Sequence, residues 1–231
     1  CLERLCLLYE KKTHSDVNLA ETYETLLGVD SDNVKALRYF KLVYAQNNEW
    51  EEVVNFLNRI LACVKHKSEK YRVAQELSVI FLYQLDKPQD AILTIETHCN
   101  QSPLDTSTIL YDAYHRIGKW QGCLGVLREC LLSAEDETAR AVLHFKIGGI
   151  LETLDEQEDA LENFQKAAVL WPEFIDAYEG AIGMALKLQK FDLVLTWMQK
   201  IEKNLFDKTL IDQIQQASKR LKDGMEQAAN A

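Results

Sequence analysis

The sequence predicts an all-α protein: an α-solenoid of about six stacked antiparallel helix pairs, finished by a C-terminal capping helix. Three observations predict it. Glycine and proline number only 9 and 3 among 231 residues, about half their usual share, so the residues that tight β-turns need are scarce. Apolar residues recur at helical spacing along most of the chain. One arrangement of small, aromatic and aliphatic positions also returns every 32 to 38 residues, a period that belongs to repeat architectures.

Composition bounds the possibilities. Hydrophobic residues make up 47% of the chain, enough for a continuous core. No apolar stretch reaches the roughly 20 residues that cross a bilayer; Leu77 to Leu85 is the longest candidate, and it carries Gln84. Cys1 to Glu10 interleaves acidic and basic groups with leucine, so it reads as amphipathic helix and not as a signal peptide. The chain is accordingly expected to be a segment of a longer protein. With 26 basic and 36 acidic residues the formal charge is −10, which repels a phosphate backbone and disfavours nucleic acid as a partner. Six cysteines without dense spacing read as free thiols in a reducing compartment, the cytoplasm. The alternative is a lipid-anchored periplasmic protein with Cys1 as its mature lipoprotein terminus.

The repeats are taken in chain order. Residues 1–33 form a partial first unit, with Leu19, Tyr23 and Leu26 on one stripe and Gly28-Val29-Asp30 as a helix stop. The unit 34–71 carries Leu37, Phe40, Tyr44, Trp50, Val53, Leu57 and Ile60, then a basic connection from Lys65 to Arg72. The unit 72–103 carries Leu82, Ala91, Ile95 and Pro103, with Pro88 at the start of its second helix, where proline is tolerated. In 104–140, Leu110, Tyr111, Tyr114, Trp120, Cys123, Leu127 and Cys130 precede an acidic insertion around Glu135 to Glu137. The clearest unit is 141–174. In 175–208, Tyr178, Ala181, Ala185, Val194, Met198 and Ile201 hold the corresponding places, with Phe191 at the turn. Residues 209–231 form the capping helix and a frayed tail: after an N-cap at Asp207, Leu210, Ile211, Ile214, Ala217, Leu221 and Met225 recur at helical spacing. Unit starts are 38, 32, 37 and 34 residues apart, and the differences are expected to fall in the connections. The N-terminal end lacks a comparable polar lid, which leaves homo-oligomerisation through that end open.

The unit 141–174 resembles the tetratricopeptide repeat (TPR), whose pattern runs W-x2-L-G-x2-Y, then A-x3-F, then P. Here it reads His144-x2-Ile147-Gly148-x2-Leu151, then Ala160-x3-Phe164, then Pro172. Small residues fall where paired helices approach, at Gly148, and where the second crosses the first, at Ala160. The resemblance covers nearly the whole chain, most strongly 72–208. It implies a right-handed superhelix whose concave surface is lined by the first helix of each pair. It also implies a non-catalytic protein–protein interaction scaffold or adaptor without a cofactor, holding a peptide or helical segment of a partner.

On that reading the groove takes Lys35, Arg38, Tyr39 and Leu42 from the first full unit, and Glu76, Leu77, Ile80 and Tyr83 from the next. Asp105, Thr108, Ile109, Asp112 and Arg116 follow, then Phe145, Lys146, Gly149 and Glu152, and finally Asp176, Glu179, Gly180 and Gly183. Mixed aromatic, apolar and charged groups suit a peptide held by a few desolvated anchors. Some relatives clamp acidic chaperone tails with lysine, arginine and asparagine; Glu76 and Asp112 depart from that pattern. The run Glu152, Asp155, Glu156, Glu158, Asp159 and Glu162 reads as a solvated edge.

Two other readings compete. A helical-repeat RNA-binding protein would need a recurring polar pair at fixed repeat positions, which is absent. A metal-dependent sensor or enzyme would use Cys63-x2-His66 with His98-Cys99. Against it, His98 is expected on the packing seam and Cys63 in a small apolar site. No phosphate loop, HExxH or Gly-x-Ser-x-Gly motif occurs.

Overall fold

The computed structural model describes residues 16–99, 103–204 and 208–229. Among them are twelve α-helices and no strand, divided between two compact units, Cys1–Gly118 and Lys119–Ala231. The first unit holds α1 (Asp16–Val29), α2 (Val34–Gln46), α3 (Trp50–Cys63), α4 (Lys67–Tyr83), α5 (Pro88–His98) and α6 (Pro103–Arg116). The second holds α7 (Trp120–Ser133), α8 (Glu137–Thr153), α9 (Gln157–Leu170), α10 (Ile175–Lys187), α11 (Phe191–Asn204) and α12 (Lys208–Ala229). The expected open N-terminal end, and Cys1 itself, lie outside the described residues, as do the side chains of Leu210, Ile211 and Ile214 on the capping helix α12. That helix meets α11 through Ser218, whose hydroxyl donates to Met198 Sδ at 3.3 Å.

One turn recurs through the chain. Left-handed residues stand at Asn48, Asp86, Gly118, Asp155 and Gln189, and the next helix begins two residues after each, at Trp50, Pro88, Trp120, Gln157 and Phe191. Backbone N–H groups of Glu49, Glu156 and Lys190 reach back to the carbonyls of Tyr44, Leu151 and Ala185, at 3.0, 2.9 and 2.8 Å. This is the bonding of a Schellman stop, which satisfies the last carbonyls of the preceding helix. Asn, Asp and Gly tolerate the left-handed conformation, whereas Gln189 adopts it at φ 56° with a full side chain.

The differing repeat lengths do not reside in the connections. α4 and α8 each have 17 residues, against 13 or 14 in α2, α6 and α10. Most of the stretch Lys65–Arg72, expected as a connection, is the opening of α4. The expected acidic insertion starts α8: Asp136 is its N-cap, accepting from the Ala139 N–H at 2.8 Å. Lys, Glu and Arg are good helix formers, so an added turn at the helix start leaves little backbone unpaired.

Small residues set how closely the helices approach. Ala36, Ala74, Ala91 and Ala113 are wholly buried in the first unit, as are Ala141, Ala160, Ala167, Ala177, Ala181 and Ala185 in the second. A close three-helix contact surrounds Phe164 on α9. A Cβ added at Gly148 on α8 would stand 2.9 Å from its ring, and one at Gly180 on α10 would stand 2.7 Å away. Gly180 therefore serves packing and not the groove, because the ring needs the space a side chain would fill. Ile80, at 6% exposure, is likewise core, together with Leu77 and Ile109. His98 departs from expectation in the other direction: it is exposed, while the neighbouring Cys99 is buried.

Gly180→Ala should lower stability by about 1–3 kcal/mol through overpacking. In urea unfolding, Phe164→Leu should cost less in that background than alone, because the smaller side chain relieves the clash. Gln189→Gly should have the opposite sign, raising stability by about 0.5–1 kcal/mol in thermal unfolding as the left-handed strain disappears.

Candidate functional site

In the first unit, helices α2, α4 and α6 lie side by side, joined by side chains that cross from each to the next. Arg38 on α2 pairs with Glu69 on α4, and Lys41 Nζ lies 2.7 Å from Glu76 Oε1. From α4 to α6, the Tyr83 hydroxyl donates to Asp112 Oδ2 at 2.5 Å and the Tyr71 hydroxyl to Asp105 Oδ2 at 3.3 Å. Arg116 on α6 donates to the Leu82 carbonyl at 2.7 Å and to Asp86 Oδ1 at 2.8 Å, its guanidinium 5.4 Å from the centre of the Tyr83 ring. Exposed pairs of this kind each contribute about 0–1 kcal/mol, so their main effect is on the charge pattern of the surface.

A cleft of about 240 Å³ opens between α2 and α4. Leu57, Ile60 and Val73 line it deeply; Arg38, Lys41, Arg72, Glu69 and Glu76 surround them. Leu42, also in the lining, is 57% exposed. The sequence places these groups together: Arg38, Lys41 and Leu42 stand at i, i+3 and i+4, and Glu69, Arg72, Val73 and Glu76 at i, i+3, i+4 and i+7. Arg38, Leu42 and Glu76 were anticipated in the groove. Lys41, Glu69 and Arg72 were not, and that helical spacing was the available signal.

The remaining anticipated residues separate into other settings. Tyr83, Asp112 and Arg116 form the α4–α6 cluster. Tyr39 stacks on Tyr23 of α1 at 4.7 Å between ring centroids and is engaged with the structure. Lys35 is exposed. In the second unit, Phe145 is half-buried against Phe164 and Phe174, at 5.5 and 4.9 Å. Lys146 and Glu179 are exposed, and Glu152 accepts from Lys187 Nζ at 2.6 Å. Of the acidic run, Glu158 is paired with Lys190 and Glu162 with Lys166.

The cysteine–histidine grouping does not assemble: among the described residues no three Cys, His, Asp or Glu groups are placed to share a metal ion. Burial pushes the Cys99 thiol up to about 11, and burial with the Asp32 carboxylate also raises Cys63. Both stay protonated at neutral pH, the form that neither ligates metal well nor attacks as a nucleophile. Cys63, Cys99 and Cys130 carry free thiols. No described helix is long and apolar enough to cross a membrane.

No protein-family model matches the chain, and no curated protein matches it. Solved structures do. A crystal structure of MamA aligns with a TM-score of 0.54 at 15% identity, over 75% of this chain and 92% of that one. YrrB, a TPR protein with an unusual peptide-binding site, aligns at 0.52 and 15% identity, over 85% and 99%. A MamA double mutant aligns at 0.53 and 17%, over 74% and 93%. Identities this low speak to fold alone: the chain has a TPR-like helical-repeat fold, an α-solenoid built of antiparallel helix pairs.

Partial burial, together with the hydrogen bond and negative charge of Asp112, pushes the Tyr83 phenol up from 10.0 to about 12, with Arg116 opposing. Between those values the folded protein holds a proton that the unfolded chain releases. Stability should therefore fall as pH rises through this window. An ultraviolet difference titration should show one tyrosine ionising late, and Tyr83→Phe should remove both that transition and its share of the slope.

Proposed function

We propose that this chain is a non-catalytic protein-interaction scaffold that holds a peptide or helical segment of a partner along the first-helix face of its first unit. The cleft between α2 and α4 supplies the anchor. One observation carries the reading: exposed Leu42 borders an apolar recess ringed by three cations and two carboxylates. A recess of about 240 Å³ suits a side-chain anchor, not a whole small-molecule substrate. The polar ring would orient the rest of the segment, with most affinity coming from a few desolvated contacts. The fold likeness to YrrB, a peptide-binding TPR protein, supports the same reading. The free cysteines suit a reducing compartment such as the cytoplasm.

Tyr39 and Phe145 are unsuitable probes because both pack within the fold. Leu42→Asp and Arg72→Glu change only exposed side chains of the cleft. In affinity capture quantified by mass spectrometry, each should reduce recovery of specifically retained proteins at least tenfold while leaving thermal unfolding unchanged. Equal recovery by wild type and both variants would remove the cleft from the function.

A further inference from the structure

We propose that the second unit carries a separate docking groove on its second-helix side, shaped for an acidic amphipathic helix of a partner protein. A cleft of about 750 Å³ is lined from α7, α8, α9 and α11. It is about three times the volume of the α2–α4 recess, large enough for several side chains of one helical face.

Its apolar part is unusually exposed. Leu132 on α7 is 89% exposed and Val169 on α9 is 63% exposed. Leu132 has Leu131 beside it, and Leu170 follows Val169; all four line the cleft. Single exposed aliphatic residues are ordinary on protein surfaces. Apolar side chains from two helices meeting in one concavity are not.

Charge complementarity decides the occupant. The chain as a whole carries a formal charge of −10, yet Arg140, Lys166 and Lys200 line this cleft against the single carboxylate Glu162. Lys166 is paired with Glu162 at 2.6 Å. Arg140 and Lys200 have no carboxylate partner among the described residues. The Lys200 ammonium rests 4.0 Å from the centre of the Trp197 ring, taking the π-face in place of an anion. Trp197 also lines the cleft at 4% exposure, and its indole N–H has no acceptor among the described residues. Buried donors of that kind are uncommon in folded proteins. The surface thus has uncovered apolar area and lacks carboxylates to match its cations. A helix presenting apolar residues at i, i+3, i+4 and i+7, flanked by Asp and Glu, supplies both deficits.

The test selects helical peptides from a phage-displayed library on the intact chain, then measures each enriched peptide by fluorescence anisotropy against variants. A class of acidic amphipathic peptides should bind at least tenfold more weakly to Leu132→Asp and to the double variant Arg140→Glu/Lys200→Glu. Their binding should weaken with added salt and be unchanged by Leu42→Asp, which keeps this groove distinct from the α2–α4 cleft. Glu162→Gln, which frees Lys166, should strengthen them. Circular dichroism should show the same unfolding midpoint for all variants, since the altered side chains are exposed. The proposal is overturned if no enriched peptide loses binding on Leu132→Asp, or if those that do are basic or uncharged. It is equally overturned if sedimentation shows wild-type dimers that Leu132→Asp dissociates, for a second copy is then the occupant.

Discussion

The second unit depends on the placement of the Phe164 ring between Gly148 and Gly180. Burying an aromatic side chain of this size contributes about 2–3 kcal/mol, but here the ring also acts as a spacer. It projects from α9 towards α8 and α10, so the two first helices can approach no closer than the ring allows and need no side chain of their own at that level. Glycine within a helix costs about 1 kcal/mol relative to alanine. Two such positions face one ring, and that expense is offset by the three-helix contact it permits. Wholly buried alanines provide the same close approach with less demand elsewhere in both units.

Because packing is settled by these small residues and by the faces turned inward, the flanks of the first helices carry polar side chains that meet across the stack. Lys41 reaches Glu76 and Lys187 reaches Glu152, each pair separated by 35 residues, close to one repeat. The recurrent left-handed turn holds each helix end in a constant position, so added length appears at the start of the first helix. Both clefts draw on it. Glu69, which pairs with Arg38 beside the α2–α4 recess, lies in the opening turn of the lengthened α4. Arg140, on the rim of the α7–α9–α11 groove, lies in the opening turn of the lengthened α8. Departures from a constant repeat length thus supply charged groups that a uniform repeat would lack.

The helix pairs were legible because their signals are local: stripe, stop and small crossing residue all fall within one turn or one pair. The close approach at Gly148 and the burial of Ala160 were implied by the resemblance to the tetratricopeptide pattern. Gly180 was misplaced because its constraint arrives from a ring 16 residues earlier, on another helix. Ile80 shows a second cause. Successive residues on a helix turn by about 100°, so placing the edge of an apolar stripe one position off converts a core residue into an apparent groove residue. Lys65–Arg72 shows a third: a charged stretch with no apolar stripe reads equally well as connection or as exposed helix. The interhelical pairs depended on that choice, since Arg38 finds Glu69 only when α4 begins early enough to present it.

Net charge is a poor guide to either surface. At physiological ionic strength charges are screened over about 8 Å, so a bound segment responds to the few groups around it and not to the total of −10. Part of the acidic run is locally paired: Glu152 and Glu158 are met by Lys187 and Lys190. Around the larger groove the balance is reversed. A phosphate backbone would satisfy Arg140 and Lys200 but would leave Leu132 and Val169 facing water, and an uncharged apolar helix would cover those two while leaving the cations unmatched. An occupant that joins carboxylates to an apolar stripe satisfies both, which is why the chemistry of the surface selects a class of ligand that the overall charge alone would argue against only weakly.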